Sequence, residues 1–106
     1  QVKESVLVRI ILKYLGARNI VAWRSNTGAS VYEHNGRRRF VRYGVRGSAD
    51  IHAIDPNNGR IVCIECKSDK GKQSEDQFQF QLDIERSLGI YILAKDLDDV
   101  VRYFER

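Results

Sequence analysis

Three charged residues, Asp50, Glu65 and Lys67, have the types and spacing for metal-assisted chemistry. They lie on two apolar runs that flank a turn-rich segment, so we expect an antiparallel hairpin there. If Asp55 pairs with Arg60 across the loop, the register places Asp50 directly opposite Glu65. Opposed side chains on paired strands are roughly 5 Å apart, and two like charges there are destabilising unless a cation lies between them. The pattern therefore predicts a divalent cation between the two carboxylates.

Side-chain alternation along the second strand adds a base to this pair of acids. Residues two apart share a face, so Lys67 projects on the same side as Glu65, while Cys66 turns its side chain away. Carboxylate oxygens, with the backbone carbonyl of Cys66 as a further candidate ligand, suit Mg²⁺, which polarises a phosphate and acidifies a water. An ammonium group beside them can orient that water, so the trio suits phosphodiester hydrolysis.

A simpler interpretation of the same residues stays open. Glu65 and Lys67 can form a solvated ion pair on an exposed strand, with Asp50 as an ordinary surface acid, and an isolated Glu-x-Lys pattern usually means that. The predicted register, the opposed Asp50 and the nearby arginines favour the functional interpretation.

Five short motifs span most of the chain in order: residues 23–28 (WRSNTG), 42–44 (RYG), 47–50 (GSAD), 64–67 (IECK) and 71–77 (GKQSEDQ). Together they resemble the VRR-NUC (virus-type replication-repair nuclease) branch of the PD-(D/E)xK nucleases. Ala49 departs from the family, which often has Pro there, but this change removes no catalytic group. The resemblance implies a restriction-endonuclease-like PD-(D/E)xK α/β fold, with a central mixed β-sheet flanked by helices.

The resemblance also implies site residues, a cofactor and partners. Asp50, Glu65, Lys67 and Gln77 would be catalytic, and the metal would be held by Glu4, Asp50, Glu65 and the backbone carbonyl of Cys66. The metal would be Mg²⁺, with Mn²⁺ able to substitute. The protein would be a DNA endonuclease, selective for branched DNA such as four-way junctions, and a homodimer. Its location would be the cytoplasm of a bacterial or virus-infected cell, without membrane association.

Several of these candidates have a structural alternative. An acid such as Glu4 in the first turn of a helix is favourable for the helix dipole alone. Gln77 can complete a capping box with Ser74, which is compatible with a place in the site. His52 shares the face of Asp50 and could touch substrate, but it is more simply a polar strand residue. Cys63 and Cys66 resemble a zinc half-site, yet their spacing on a strand sends them to opposite faces.

An arginine cluster between residues 37 and 46 contains no acid and alternates with apolar residues, as in a strand with a basic outer face. Such a surface would bind phosphates without reading bases, so we expect recognition of backbone or shape. A solubilising edge strand is the alternative. The complete set of predicted DNA-binding residues is Arg24, Arg37, Arg38, Arg39, Arg42, Arg46, Lys70 and Lys72.

The elements that must position these residues follow from periodicity and turn signals. A helix over residues 2–15 is expected to stop at Gly16, and Asn35-Gly36 marks a two-residue hairpin turn. Ser74 begins a helix that runs to Gly89, and Asp96 caps a final helix whose apolar residues could serve the core or a dimer interface. The predicted strands cover 20–23, 31–32 with 40–41, 49–54, 61–66 and 90–93, giving the order α-β-(β-hairpin)-β-β-α-β-α.

Composition sets the outer bounds. One hundred and six residues, 42% of them hydrophobic and with a single Pro, predict one folded domain over 1–106. The net charge of +4 fits a polyanionic partner. No apolar run approaches a membrane span, the first residues do not resemble a signal peptide, and two cysteines are too few for a disulfide framework, so we expect an intracellular protein. A noncatalytic DNA-binding accessory module of the same fold is the alternative function.

Overall fold

The structure, a computed structural model, describes residues 2–25 and 28–106, with the side chains of 28–30 and 41–43 left aside. Its elements follow the predicted order. They are α1 (Glu4–Ala17), β1 (Ala22–Arg24), β2 (Gly28–His34), β3 (Arg37–Tyr43), β4 (Ile51–Ile54), β5 (Ile61–Cys66), α2 (Glu75–Arg86), β6 (Ile90–Ala94) and α3 (Leu97–Phe104).

A four-stranded sheet in the order β1-β4-β5-β6 forms the centre of the fold. β4 pairs antiparallel with both β1 and β5, whereas β5 and β6 are parallel. Parallel neighbours need a crossover connection, and α2 provides it. The prediction of an α/β fold with a mixed sheet flanked by helices is therefore confirmed.

The helices cover both faces of this sheet. α1 and α3 pack on one face, where the larger buried cluster includes Ile11, Ile64 and Phe104. α2 packs on the other face through Phe80, which joins a smaller cluster with Ala49 and Cys63. β5 is nearly continuously buried because it has neighbours on both faces.

The side chains of α3 settle a question that the sequence left open. Val100 and Phe104 belong to the buried core, so this side of α3 does not form an exposed dimer interface. In the described part of the chain, no helix is long and apolar enough to cross a membrane.

β2 and β3 form a separate two-stranded sheet. Asn35 and Gly36, with φ of 52° and 74°, make the two-residue turn between the paired residues His34 and Arg37. Both turn residues are in the left-handed region, as a type I′ hairpin turn requires. The predicted Asn-Gly hairpin is confirmed.

The predicted glycine stops of two helices are wrong. α1 runs through Gly16 to Ala17, and the left-handed residue that follows it is Asn19, with φ 58°. α2 ends at Arg86, and Leu88 takes the left-handed conformation with φ 68°. Gly89 is needed for close packing instead, because a Cβ there would lie 2.7 Å from Ile84 Cγ2.

The buried carboxylate of Asp55 ties the β4–β5 turn to the end of the chain. It accepts hydrogen bonds from Asn57 N at 2.9 Å, from Arg106 Nη2 at 3.0 Å and from the hydroxyl of Tyr103. Burial alone would raise the pKa of Asp55, but these donors outweigh it and the pKa is lowered. The turn that sets the register between β4 and β5 is thus anchored by a long-range contact.

Replacing Gly16 by Ala is expected to raise the free energy of unfolding by about 0.5–1 kcal/mol, because glycine is a poor residue inside a helix. A Cβ at Gly16 meets no atom within 4 Å. Gly59 has equal space but a φ of +77°, so Gly59→Ala should instead lower the free energy of unfolding by about 1–2 kcal/mol. Urea unfolding of both variants measures the contrast, and a destabilised Gly16→Ala would contradict the helical assignment.

Candidate functional site

The register of β4 and β5 brings Asp50 and Glu65 together as predicted. Ile51 pairs with Ile64 in antiparallel register. Asp50 comes one residue before Ile51 and Glu65 one residue after Ile64, so the same register places them opposite each other. Asp50 Oδ2 accepts a hydrogen bond from Cys66 N at 2.8 Å. The Asp50 carboxylate is therefore held against the end of β5.

Glu65 is a buried carboxylate, with a relative exposure of 3%. Its Oε2 accepts a hydrogen bond from Gln77 Nε2 at 3.1 Å and lies 3.8 Å from Lys67 Nζ. Its Oε1 is buried and has no hydrogen-bond partner among the described residues. The alternative of a solvated Glu65–Lys67 ion pair on an exposed strand is wrong, because water does not solvate this carboxylate.

The surroundings of Glu65 disfavour its charged form. Burial, followed by the negative charge of Asp50, raises the pKa of Glu65 from 4.5 to about 8, and Lys67 opposes the shift only in part. Glu4 adds a further, smaller effect in the same direction. Burial, followed by the negative charges of Asp50, Glu65 and Glu4, raises the pKa of the Cys66 thiol to about 12. Burial and the neighbouring carboxylates thus both favour the protonated forms of Glu65 and Cys66.

Gln77 serves two purposes at the start of α2. Its backbone N–H donates to Ser74 Oγ and its Oε1 accepts from Ser74 N, which completes the predicted capping box. The same amide group donates through Nε2 to Glu65. Gln77 therefore joins the helix cap to Glu65, so the capping box is confirmed and the catalytic role of Gln77 stays a prediction.

Gly47 lets the segment before Asp50 approach α2 closely. A Cβ at Gly47 would lie 2.2 Å from the backbone oxygen of Asp76, and the residue has a φ of +76°. Only glycine satisfies both conditions. This contact holds the segment that carries Asp50 against the first turn of α2, which carries Gln77.

The loop between Lys67 and Ser74 is fastened by two residues from other elements. Glu4 Oε2 accepts a hydrogen bond from Ser68 N at 3.1 Å. Lys95 Nζ donates to the backbone oxygen of Asp69 at 2.7 Å. Lys95 is not among the residues predicted from the sequence. It comes directly after β6, which is parallel to β5, so it lies at the same sheet edge as Lys67, which comes directly after β5.

The residues around Glu65 offer two side-chain carboxylates for a metal rather than a larger cluster. Within the described ranges, no group of three or more His, Cys, Asp or Glu side chains is arranged to hold a metal ion. Glu4 instead binds the loop at Ser68. The predicted ligand set of Glu4, Asp50, Glu65 and the Cys66 carbonyl therefore stays a prediction. Cys63 and Cys66 lie in different buried clusters, on opposite faces of the sheet.

His52 lies beside Asp50 in an aromatic row. Its ring stacks on Phe80 with centroids 6.1 Å apart, and Trp23 meets it edge-on at 5.8 Å. Its Nε2 is 3.1 Å from Ser48 Oγ. Burial lowers the pKa of His52, so the ring is neutral at pH 7 and is packed as a strand residue.

The arginines of β3 do not share a single face, and the prediction of one basic outer face is wrong in this respect. Consecutive strand residues alternate, so Arg37 and Arg39 project on one side and Arg38 on the other. Arg38 is directly opposite Glu33, and Arg39 is opposite Tyr32. All three arginines are exposed, which leaves positive charge on both faces of the hairpin.

The other predicted DNA-binding residues are dispersed. Arg46 lies 4.0 Å from Asp76 Oδ2, and its charge is partly balanced there. Arg24, Lys70 and Lys72 are exposed. The side chain of Arg42 lies outside the described part of the structure, as do Asn26 and Thr27 of the first motif.

Comparisons with known proteins give no match: no protein-family model, no curated protein and no solved structure is similar to this chain. The resemblance to the VRR-NUC nucleases stays a prediction that rests on the motifs.

Proposed function

We propose that this protein is a metal-dependent deoxyribonuclease that hydrolyses phosphodiester bonds. The observation that carries the proposal is the buried carboxylate of Glu65, which has one oxygen without a partner and lies beside Asp50, Lys67 and Gln77. A fold does not bury such a group without cost. Buried acids with strongly raised pKa values are more frequent at functional sites than elsewhere.

The site residues fit a hard divalent cation. Asp50 and Glu65 supply carboxylate oxygens, which Mg²⁺ prefers, and Mg²⁺ sites commonly use one or two carboxylates with water and substrate as the remaining ligands. When bound, Mg²⁺ or Mn²⁺ would polarise the phosphate and lower the pKa of a water. The unpartnered Glu65 Oε1 offers a free electron pair for such an ion.

The remaining residues have separate tasks in this proposal. Lys67 is anchored at 3.8 Å from Glu65 Oε2, where its ammonium group orients the attacking water and offsets charge that develops on the phosphate. Gln77 fixes the orientation of Glu65 through its amide group. The DNA backbone is contacted by the basic hairpin, which is the β2–β3 hairpin with its exposed arginines at 37–39. Lys70 and Lys72, exposed on the loop after β5, add further contacts to the backbone.

The proposal extends to a restriction-endonuclease-like PD-(D/E)xK fold and to a homodimer that cuts branched DNA. The mixed sheet with helices on both faces supports this fold. Two cuts on a symmetric junction need two sites, which a homodimer supplies. The side chains of Phe78 and Leu82, one turn apart on α2, are exposed and supply an apolar surface for a second copy.

The test is cleavage of end-labelled DNA with Mg²⁺, with Mn²⁺ and with a chelator. We expect metal-dependent products, and more product from flap or four-way-junction DNA than from linear duplex. Absence of metal-dependent cleavage on every substrate would contradict the nuclease proposal. Products from linear duplex alone would contradict the proposed selectivity for branched DNA and would still support metal-dependent phosphodiester hydrolysis.

A noncatalytic DNA-binding accessory module is the second candidate. It is favoured by the absence, among the described residues, of a cluster of three metal-ligating side chains. This module would retain the basic hairpin and bind DNA equally well with metal or with chelator. Binding without any metal-dependent product would decide for it.

The salt dependence of DNA binding is expected to differ between the two faces of the hairpin. Replacing Arg37 and Arg39 together by Ala should reduce the slope of log affinity against log salt by roughly 2, since about 0.9 counterion is released per phosphate contact. Arg38 is opposite Glu33 on the other face, so Arg38→Ala is the matched control and should change the slope less. Fluorescence anisotropy with labelled DNA measures both, and an unchanged slope in the double variant would show that this face does not contact phosphates.

A further inference from the structure

Trp23 is the single tryptophan of the chain, and 45% of it is exposed. It lies on β1, at the edge of the four-stranded sheet, directly opposite His52. Opposed residues share a face, and so do residues two apart on one strand. Trp23 therefore projects on the face that carries His52 and Asp50.

The register also fixes how far Trp23 is from the candidate site. Asp50 is the diagonal neighbour of Trp23, because Trp23 pairs with His52 and Ser25 N donates to Asp50 O at 2.8 Å. Diagonal neighbours across two strands are roughly 7–8 Å apart, within reach of an aromatic side chain. An exposed indole thus borders the carboxylate site on the same side of the sheet.

The inner edge of the indole is held by a buried layer. The Trp23 and His52 rings are at 88° to each other, and His52 itself is stacked on the buried Phe80 at 14°. Ser48 Oγ lies 3.1 Å from His52 Nε2 and further fixes the ring. The same oxygen lies 3.1 Å from Ser25 Oγ. An aromatic ring that is already ordered loses little conformational entropy when a flat ligand stacks on it.

We infer that Trp23 is a stacking platform for an unpaired nucleobase at the border of the site formed by Asp50 and Glu65. This inference rests on the proposed nucleic-acid substrate and adds a source of selectivity to it. Every base has a π-face that stacks on an aromatic ring. A base inside a duplex has both faces covered by its neighbours, so only a splayed, flapped or single-stranded base can reach Trp23 without unstacking. Arg24, the exposed next residue, supplies positive charge for the adjoining backbone.

The single tryptophan allows a direct test by intrinsic fluorescence. The protein is titrated in chelator, so that no DNA is cut, with oligothymidylate and with a blunt duplex of the same length. We expect saturable quenching by the single strand and much weaker quenching by the duplex. Three results would overturn the inference: no quenching by the single strand, equal quenching by both DNAs, or a blue shift of emission with protein concentration alone. The last would assign this surface to a second copy of the chain.

Substitutions extend the test to affinity. Trp23→Ala should weaken single-strand binding by roughly 5- to 150-fold, as expected for the loss of one base–aromatic stack, and leave duplex binding unchanged. Trp23→Phe should restore part of the loss. Val21→Ala removes an exposed apolar side chain two residues away and is the matched control. An equal loss in Val21→Ala, or a loss with duplex as large as with single strand, would overturn the stacking role.

These measurements do not depend on catalysis. Quenching without any metal-dependent cleavage would keep the stacking platform and overturn the nuclease proposal. Cleavage without quenching would keep the nuclease and overturn the stacking platform.

Discussion

Glu65→Gln and Asp50→Asn are each expected to lower the rate of Mg²⁺-dependent DNA cleavage by at least about a thousandfold. Each removes one carboxylate from the pair that would hold the metal, and the Lewis-acid contribution of such an ion is several kcal/mol, with each 1.36 kcal/mol worth a factor of ten in rate. Both variants keep the size of the side chain. In Asp50→Asn, the amide oxygen can still accept the hydrogen bond that Cys66 N donates to the native carboxylate.

The measurement pairs single-turnover cleavage with binding in chelator. Binding should be nearly unchanged, because the basic hairpin lies on other strands, and circular dichroism should show the native fold. Asp98→Asn is the matched control, since Asp98 is an exposed carboxylate in the first turn of α3. Full cleavage activity in either site variant would refute the assignment of Asp50 and Glu65.

Local rules explain which parts of this fold were predictable. The Asn35-Gly36 turn and the capping box at Ser74 involve residues close in sequence. The pairing of Asp50 with Glu65 required only a loop length and the alternation of strand side chains. The proximity of Asp50 and Glu65 was predictable because both lie on one hairpin, whereas Glu4 and Gln77 come from the helices α1 and α2.

Long-range packing explains what the sequence did not reveal. The hydrogen bonds of Asp55 to the end of the chain and of Lys95 to the loop after β5 join residues far apart in sequence. The periodicity of α3 fits a core or an interface equally, and only its packing against α1 and the sheet places Val100 and Phe104 in the core. Helix ends also depend on context, since Leu88 takes a strained conformation beside a glycine that packing requires.

The burial of Glu65 unites the candidate site with the stability of the fold. The strand pattern placed Glu65 on one face, but the packing of α2 over that face makes the carboxylate buried and one oxygen unpartnered. Without a bound cation, this carboxyl group favours its protonated form. The same group is therefore expected to control both activity and pH-dependent stability.

The metal-free protein is expected to lose about 2 kcal/mol of stability as the pH rises from about 6.5 to about 8. The pKa of Glu65 is raised in the fold from 4.5 to about 8, so across this window the folded chain keeps a proton that the unfolded chain has released. Stability then falls with pH by up to about 1.4 kcal/mol per unit. The pKa of His52 is lowered from 6.5, which makes stability rise with pH, but only at pH values below 6.5. The lowered pKa of Asp55 changes the stability only in acid solution, well below this window.

Urea unfolding at a series of pH values, in chelator, measures this slope. Glu65→Gln should abolish it and be the more stable protein at pH 8, because the amide carries no charge to bury. Glu75→Gln, which removes an exposed acid from the first turn of α2, should keep the slope. Mg²⁺ should stabilise the native protein more at pH 8 than at pH 6.5, since a bound cation replaces the proton. A stability that is flat between these pH values in the metal-free native protein would show that Glu65 ionises normally, and the raised pKa of this buried carboxyl group would then be wrong.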